Sequence, residues 1–222
     1  MTRAKNGKAL ALAALILLAQ ALGAPRAGAG EPAQLTVAGG CFWCVEADFE
    51  SLPGVLEAVS GYAGGDVPNP SYKAVTAGGT GHVEAVRITF DPDRISRAQL
   101  LDLFFRSVDP TDPGGQFCDR GDSYRSAIFV SDPGEKTLAE AARARAAAAL
   151  GQPIVTPIIE GATFYPAEEY HQDYARGRRI VLTRFGPRRQ SVAYKLYRQA
   201  CGRDARLRAL WGSAAFLPGT TD

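Results

Sequence analysis

The chain is short of the residues on which many catalytic strategies depend: among its 222 residues are only two histidines, His82 and His171, and four cysteines. A cysteine-protease reading needs an imidazole to serve the nucleophile as base. Neither histidine sits beside an orienting acid in a nucleophile motif, so both are read as structural. Zinc has Cys41, Cys44, Cys118, Cys201 and the two histidines to draw on, but a second close-spaced ligand pair is missing and no metal is expected. Four cysteines are also too few for a disulfide-stapled scaffold of this length, which points to reagents rather than staples. A surplus of charge is missing as well. The formal charge is +2, but residues 1–29 hold four of the 25 Lys and Arg and none of the 23 Asp and Glu, leaving 21 against 23, or −2. That balance offers no footprint for nucleic acid or an anionic membrane surface.

Long apolar runs are confined to the N-terminus. A basic start through Lys8, an apolar stretch from Ala9 to Leu22 and the small residues Ala27-Gly28-Ala29 read as a cleaved secretory signal peptide over residues 1–29. The stretch is short and alanine-rich for a membrane span, and no cysteine follows it to carry a lipid; an uncleaved anchor is the alternative. The mature chain, 30–222, is then expected to be exported, periplasmic or extracellular, without an integral membrane span, and monomeric. At 46% hydrophobic and 22% charged it has the length and composition of one domain with one good core.

What the chain does have is Gly39-Gly40-Cys41-Phe42-Trp43-Cys44. Before it, Gln34 to Ala38 alternates as a half-buried strand does; after it, Phe42, Val45, Phe49 and Leu52 recur at helical spacing. Cys41 therefore stands where a strand hands over to a helix, facing unpaired N–H groups and the positive end of the macrodipole. Such a setting is expected to lower a thiol from about 8.5 to about 3.5–7.5. The plainer reading is a pair of buried cysteines in an apolar helix.

Further along, Val55 to Val59 reads as a strand and Gly61 to Tyr72, with Gly64-Gly65 and Pro68-Asn69-Pro70, as an irregular loop. In the strand His82 to Phe90, Glu84 falls in phase with Val86, Ile88 and Phe90, so a carboxylate lies on the apolar face and its pKa is expected to be raised. Ser96 and Gln99 form a capping-box signature for a helix ending before Pro110. A polar loop from Thr111 to Ser123 holds Cys118 and Asp119. A strand from Tyr124 to Val130, a helix from Pro133 to Gly151 and a strand over Ile154 to Ile159, with Pro157 favouring an edge or bulge, follow. The remainder is an aromatic and basic C-terminal extension with no linker or repeat.

Five of these stretches together resemble the A-type peptide-methionine sulfoxide reductases in order and spacing: Gly40-Cys41-Phe42-Trp43, Gly61-Tyr62-Ala63-Gly64-Gly65, Pro68-Asn69-Pro70-Ser71-Tyr72, Gly81-His82-Val83-Glu84-Ala85-Val86 and Tyr124-Arg125-Ser126-Ala127-Ile128. The likeness runs from about Ala38 to Tyr174. It implies an α+β, two-layer sandwich related to the ferredoxin-like fold, with long irregular loops, and reduction of the S epimer of methionine sulfoxide, free or in proteins. It further implies Cys41 as nucleophile, Glu84 as acid, Tyr72 and Tyr124 as hydroxyl donors, Asp119 in the polar surround, and Phe42 with Trp43 around the ε-methyl group. No bound cofactor is implied; an external dithiol, a thioredoxin-like protein, restores the thiols. Where many members have glycine this chain has Cys44, Ser123 replaces a common glutamine, and the glycine-rich tail that carries resolving cysteines is absent. A subset uses Cys-Phe-Trp-Cys, so Cys44 is the first choice to resolve the sulfenic acid, with Cys201 and Cys118 as alternatives. Two competing readings remain: a thioredoxin-like disulfide oxidoreductase using Cys41 and Cys44, which has no need of Glu84, and a secreted binding module whose Cys41–Cys44 disulfide is incidental.

Overall fold

The structure, a computed structural model, describes residues 30–218; the expected signal peptide lies outside them. In chain order the strands are β1 (Ala33–Gly39), β2 (Val55–Ala63), β3 (Val83–Phe90), β4 (Gly115–Gln116), β5 (Asp119–Arg120), β6 (Ser126–Val130), β7 (Ile158–Glu160), β8 (Phe164–Pro166), β9 (Ile180–Thr183) and β10 (Gly186–Arg189). The helices are α1 (Phe42–Glu50), α2 (Tyr72–Ala77), α3 (Arg97–Ser107), α4 (Pro133–Leu150), α5 (Gln190–Cys201) and α6 (Arg203–Trp211). Six strands form one sheet in the order β7-β6-β1-β3-β2-β8; β4–β5 and β9–β10 are separate two-stranded hairpins. The fold class is mixed α and β, as expected.

Period-two alternation gives the sheet two different faces. Leu35, Val37, Val86, Ile88 and Phe90 belong to the main core with Phe42, Val45 and Phe49 of α1, Leu100, Leu101 and Phe104 of α3 and Ala139, Ala142 and Ala146 of α4. The opposite face holds a smaller cluster, Ala38, Ala63, Val83, Ala85, Ala127 and Phe129. Local signals set the longer helices. Both halves of the Ser96–Gln99 capping box form, and Asp132 accepts from the N–H groups of Gly134 and Glu135 while Gly151, at φ 62°, ends α4 in the left-handed region.

Several sequence expectations need correction. The loop from Gly61 to Tyr72 is shorter than expected, because β8 pairs with β2 over Gly61–Ala63 and prolongs it, and because Ser71 caps α2 by accepting the Ala74 N–H. Tyr124 closes a one-turn 3-10 helix and the strand starts only at Ser126. The Thr111–Ser123 loop contains the β4–β5 hairpin. The expected strand over Ile154–Ile159 narrows to β7, an edge strand that runs parallel to β6 and starts just after Pro157. Among the described residues no helix is long and apolar enough to cross a membrane.

Candidate active site

The turn that presents Cys41 depends on its glycines. Gly40 has φ 79°, and a Cβ there would lie 2.5 Å from Gln116 Cβ, so no side chain is tolerated. Gln116 is held in place by Asp109: its amide donates to the Asp109 carbonyl and its oxygen accepts the Asp109 N–H, each at 2.8 Å. Cys41 then occupies the N-cap of α1, partly exposed, and its carbonyl accepts the N–H of Cys44 at 3.0 Å. The first free N–H of the helix, that of Phe42, donates to Glu84 Oε2 at 2.9 Å. Glu84 is 2% exposed. Burial pushes its pKa up to about 8, with the Phe42 N–H pulling the other way. The raised acid expected from strand phase is present, directly behind the nucleophile's turn.

Cys41, Phe42, Trp43, Cys44, Tyr72, Glu84, Asp119 and Tyr124, every residue singled out in the sequence for chemistry or substrate contact, line one cavity of about 500 Å³. Cys118 and Cys201 line it too. Burial, then the nearby Glu84, hold the Tyr72 and Tyr124 hydroxyls in their protonated, donor form. Burial also raises Asp119, opposed by Arg203 and Arg184. The Trp43 ring stacks on Tyr174 at 3.7 Å, and its indole N–H donates to His171 Nδ1 at 3.2 Å. His171 lies 5.0 Å from the Phe42 ring and 4.4 Å from Tyr72; burial lowers its pKa to about 4, so it is a neutral support behind these cavity-lining rings. His82 accepts the Gly65 N–H at Nδ1 and contacts the Val67 carbonyl through Nε2, which pins the loop between β2 and α2.

The cysteines differ from expectation in two respects. The helix-start position does not lower the Cys41 thiol. The neighbouring Cys44 thiol, then burial and the nearby Glu84, hold its pKa up. Cys44 is the one pulled down, first by the Cys41 thiol and then, against burial, by Arg203 and Arg198. The two thiols titrate as a pair, and Arg203 and Arg198 favour charge on its inner member. Second, Cys118 and Cys201, read as reagents, are bonded to each other across a separation of 83 residues, while Cys41 and Cys44 are free thiols.

Some residues of the site were not found from sequence. Asp48 on α1, 1% exposed, pairs with Arg198 at 2.7 Å and Arg203 at 3.5 Å. Arg203, 2% exposed, also donates to the carbonyls of Gly39 and Ser107 and lies 4.8 Å over the Phe117 ring. Glu168 accepts the Tyr72 N–H at 3.0 Å and the Tyr62 hydroxyl at 2.8 Å, which sets the position of α2. The one available signal was Asp48, four residues after Cys44 on the same face of a helix whose acids Glu46 and Asp48 are both buried, since a buried acid needs a partner.

Comparison with known proteins agrees with this geometry. The model of the family "Peptide methionine sulfoxide reductase" matches residues 33–200. A peptide methionine sulfoxide reductase MsrA 2 of Rhizobium meliloti is 47% identical over 190 residues, 86% of this chain and 89% of that protein. Its counterpart of the same name in Caulobacter vibrioides is 47% identical over 205 residues, 92% and 95% of the two chains. Among solved structures, methionine sulfoxide reductase A of Corynebacterium diphtheriae superposes with TM-score 0.60 at 31% identity, covering 67% of this chain and 76% of that one. Reduced Mxr1 of Saccharomyces cerevisiae gives 0.60 at 34%, covering 65% and 84%. With a cysteine at a helix start, a buried acid behind it and relatives of one activity over most of its length, the chain belongs to the peptide methionine sulfoxide reductase family, as an enzyme of the A type.

Proposed function

We propose that the chain reduces the S epimer of methionine sulfoxide by transferring the oxygen to Cys41 and then closing a Cys41–Cys44 disulfide. The observation that carries this reading is Glu84, held neutral at the foot of the cavity by burial and in contact with the helix turn that bears Cys41. A sulfoxide oxygen leaves sulfur only once it is protonated. Glu84, with the Tyr72 and Tyr124 hydroxyls, supplies that proton. Cys41 passes its own proton toward the neighbouring Cys44 sulfur and attacks. The sulfide departs with its electron pair, and Cys41 keeps the oxygen as sulfenic acid. Attack by Cys44 on the Cys41 sulfur forms the disulfide and releases water. An external dithiol, a thioredoxin-like protein, then reopens it. All electrons come from thiols, so no bound cofactor enters the sequence of steps.

Two structural elements of this reading are also ours. The strand order β6-β1-β3-β2, threaded β1-α1-β2-β3-α3-β6, supports kinship with the ferredoxin-like sandwich. The composition of residues 1–29 supports export of the enzyme to a periplasmic or extracellular site, which cell fractionation and the N-terminal sequence of the mature protein would test. The thioredoxin-like alternative is not favoured, since the family match covers residues 33–200 and disulfide exchange leaves Glu84 without a task.

The test is a thiol count on protein reduced at Cys41 and Cys44 and then given each epimer without reductant. Two thiols lost per methionine formed from the S epimer, and none with the R epimer, is the expected result. Methionine formed by Cys41→Ser, or without loss of thiols, would overturn it.

A further inference from the structure

The segment Tyr174–Arg203 contains no aspartate or glutamate, yet carries eight arginines. Six of them flank or belong to the β9–β10 hairpin, which stands apart from the main sheet. In its register Ile180 faces Arg189 and Leu182 faces Pro187, so these four share one side of the ribbon. That side is turned to solvent: Ile180 is 74% and Leu182 87% exposed. Val181 and Thr183, on the other side, are half-buried. Among the described residues, Arg176 is paired with Glu50 and Asp173, while no ion pair joins Arg178, Arg179, Arg188 or Arg189 to an acid. The ribbon continues into the active-site cavity, whose rim includes Leu182, Thr183 and Arg184.

An apolar strip that costs solvation, framed by unpaired guanidinium groups and leading to the nucleophile, needs an occupant that is apolar and acidic at once. We propose that the β9–β10 hairpin is the docking platform for the polypeptide on either side of the oxidised methionine, and that it selects segments rich in aspartate or glutamate. This rests on the reductase reading and adds to it the class of protein substrate. The hydrophobic side chains of such a segment cover Ile180 and Leu182, while its carboxylates meet Arg178, Arg179 and Arg189. Free methionine sulfoxide enters the cavity without reaching Arg178, Arg179 or Arg189, none of which lines it.

The experiment compares kcat/KM for N-acetyl-methionine sulfoxide and for two peptides of one length, in which the sulfoxide is flanked by glutamates or by lysines. Dithiothreitol is the reductant, so that docking of a protein donor plays no part. The glutamate peptide should be favoured over the lysine peptide by about tenfold at low ionic strength, with the preference collapsing at several hundred millimolar salt. Charge reversal in Arg178→Glu/Arg179→Glu/Arg189→Glu should invert the order, and the corresponding glutamine variant should bring the two peptides together, each value normalised to the acetylated amino acid on the same variant. Equal rates for the two peptides, or a ratio that survives charge reversal, overturns the proposal while leaving the reductase activity standing. So does a variant whose only change is a higher KM for a thioredoxin, which would assign the surface to the donor. Absence of turnover with all three substrates would instead sink the underlying reading.

Discussion

Glu84 is the residue on which the proposed chemistry turns, and its behaviour follows from one bond and one environment. A carboxyl as deeply buried as that of Glu84 would stay protonated well past neutrality, and the Phe42 N–H recovers only part of that shift, leaving about 8 against an ordinary 4.5. Between those values the folded protein holds a proton that the unfolded chain has lost. The stability from this group is therefore complete below about 4.5 and is lost as pH rises through about 8. The acid needed for oxygen transfer disappears over the same upper limb. Glu84→Gln keeps a neutral group in place but cannot give up a proton, so the single-turnover rate should fall by roughly 10²–10⁴-fold. Rapid-quench measurements across pH should show the parent losing rate above about pH 8 and the variant flat there. A variant within a few fold of the parent would mean that Tyr72 or Tyr124 supplies the proton alone.

At the scale of elements, α1 is held from below by the C-terminal helices. Asp48 projects from α1 into contact with Arg198 of α5 and Arg203 of α6, and burial raises its pKa while the two arginines oppose the rise. Arg203→Met should destabilise the fold by about 3–5 kcal/mol in denaturant titration, because it leaves a buried carboxylate with only one partner. Adding Asp48→Asn should return part of the loss. An equal loss in both would place the effect in the bonds from Arg203 to Gly39 and Ser107. How much of this was legible beforehand depended on range. The strand phase of Glu84, the Ser96 capping box and the Pro133 start of α4 are local patterns, and each was readable. The six-residue α2 is too short to be stable alone and exists because Ser71 and Glu168 hold its start. The reach of α5 and α6 over the cavity depends on Asp48, some 150 residues upstream of Arg198, and no periodicity encodes such a pairing. The Cys41 thiol was misjudged because the helix turn was visible in sequence, while the burial and the adjoining Cys44 thiol that hold its pKa up depend on how the turn is packed.

In the whole molecule, sulfur chemistry is divided between two cysteine pairs that share one cavity. The Cys118–Cys201 bond ties the β4–β5 hairpin, and with it Asp119, to the end of α5, so the cavity is closed by both halves of the chain. This bond leaves Cys44 as the free thiol next to Cys41. Closing a ring across two intervening residues costs little loop entropy, and because Cys41 is a cap rather than an interior residue of α1, only the first turn must loosen for the sulfurs to bond. Opposing this, the bonds from the Cys44 and Val45 N–H groups to the Cys41 carbonyl resist that loosening. Each is a helix-end bond worth about 0.5–1.5 kcal/mol, and together they are outweighed by a covalent disulfide. Cys44→Ser should therefore yield about one methionine per enzyme and then stall with Cys41 as sulfenic acid, detectable by dimedone labelling and mass spectrometry. The Cys118→Ser/Cys201→Ser pair should keep turning over with a thioredoxin while losing stability, by about 2–4 kcal/mol in denaturant titration, as expected when a long loop is no longer cross-linked. The reverse pattern, continued turnover by Cys44→Ser and stalling of the double variant, would make the second pair the route by which electrons reach Cys41.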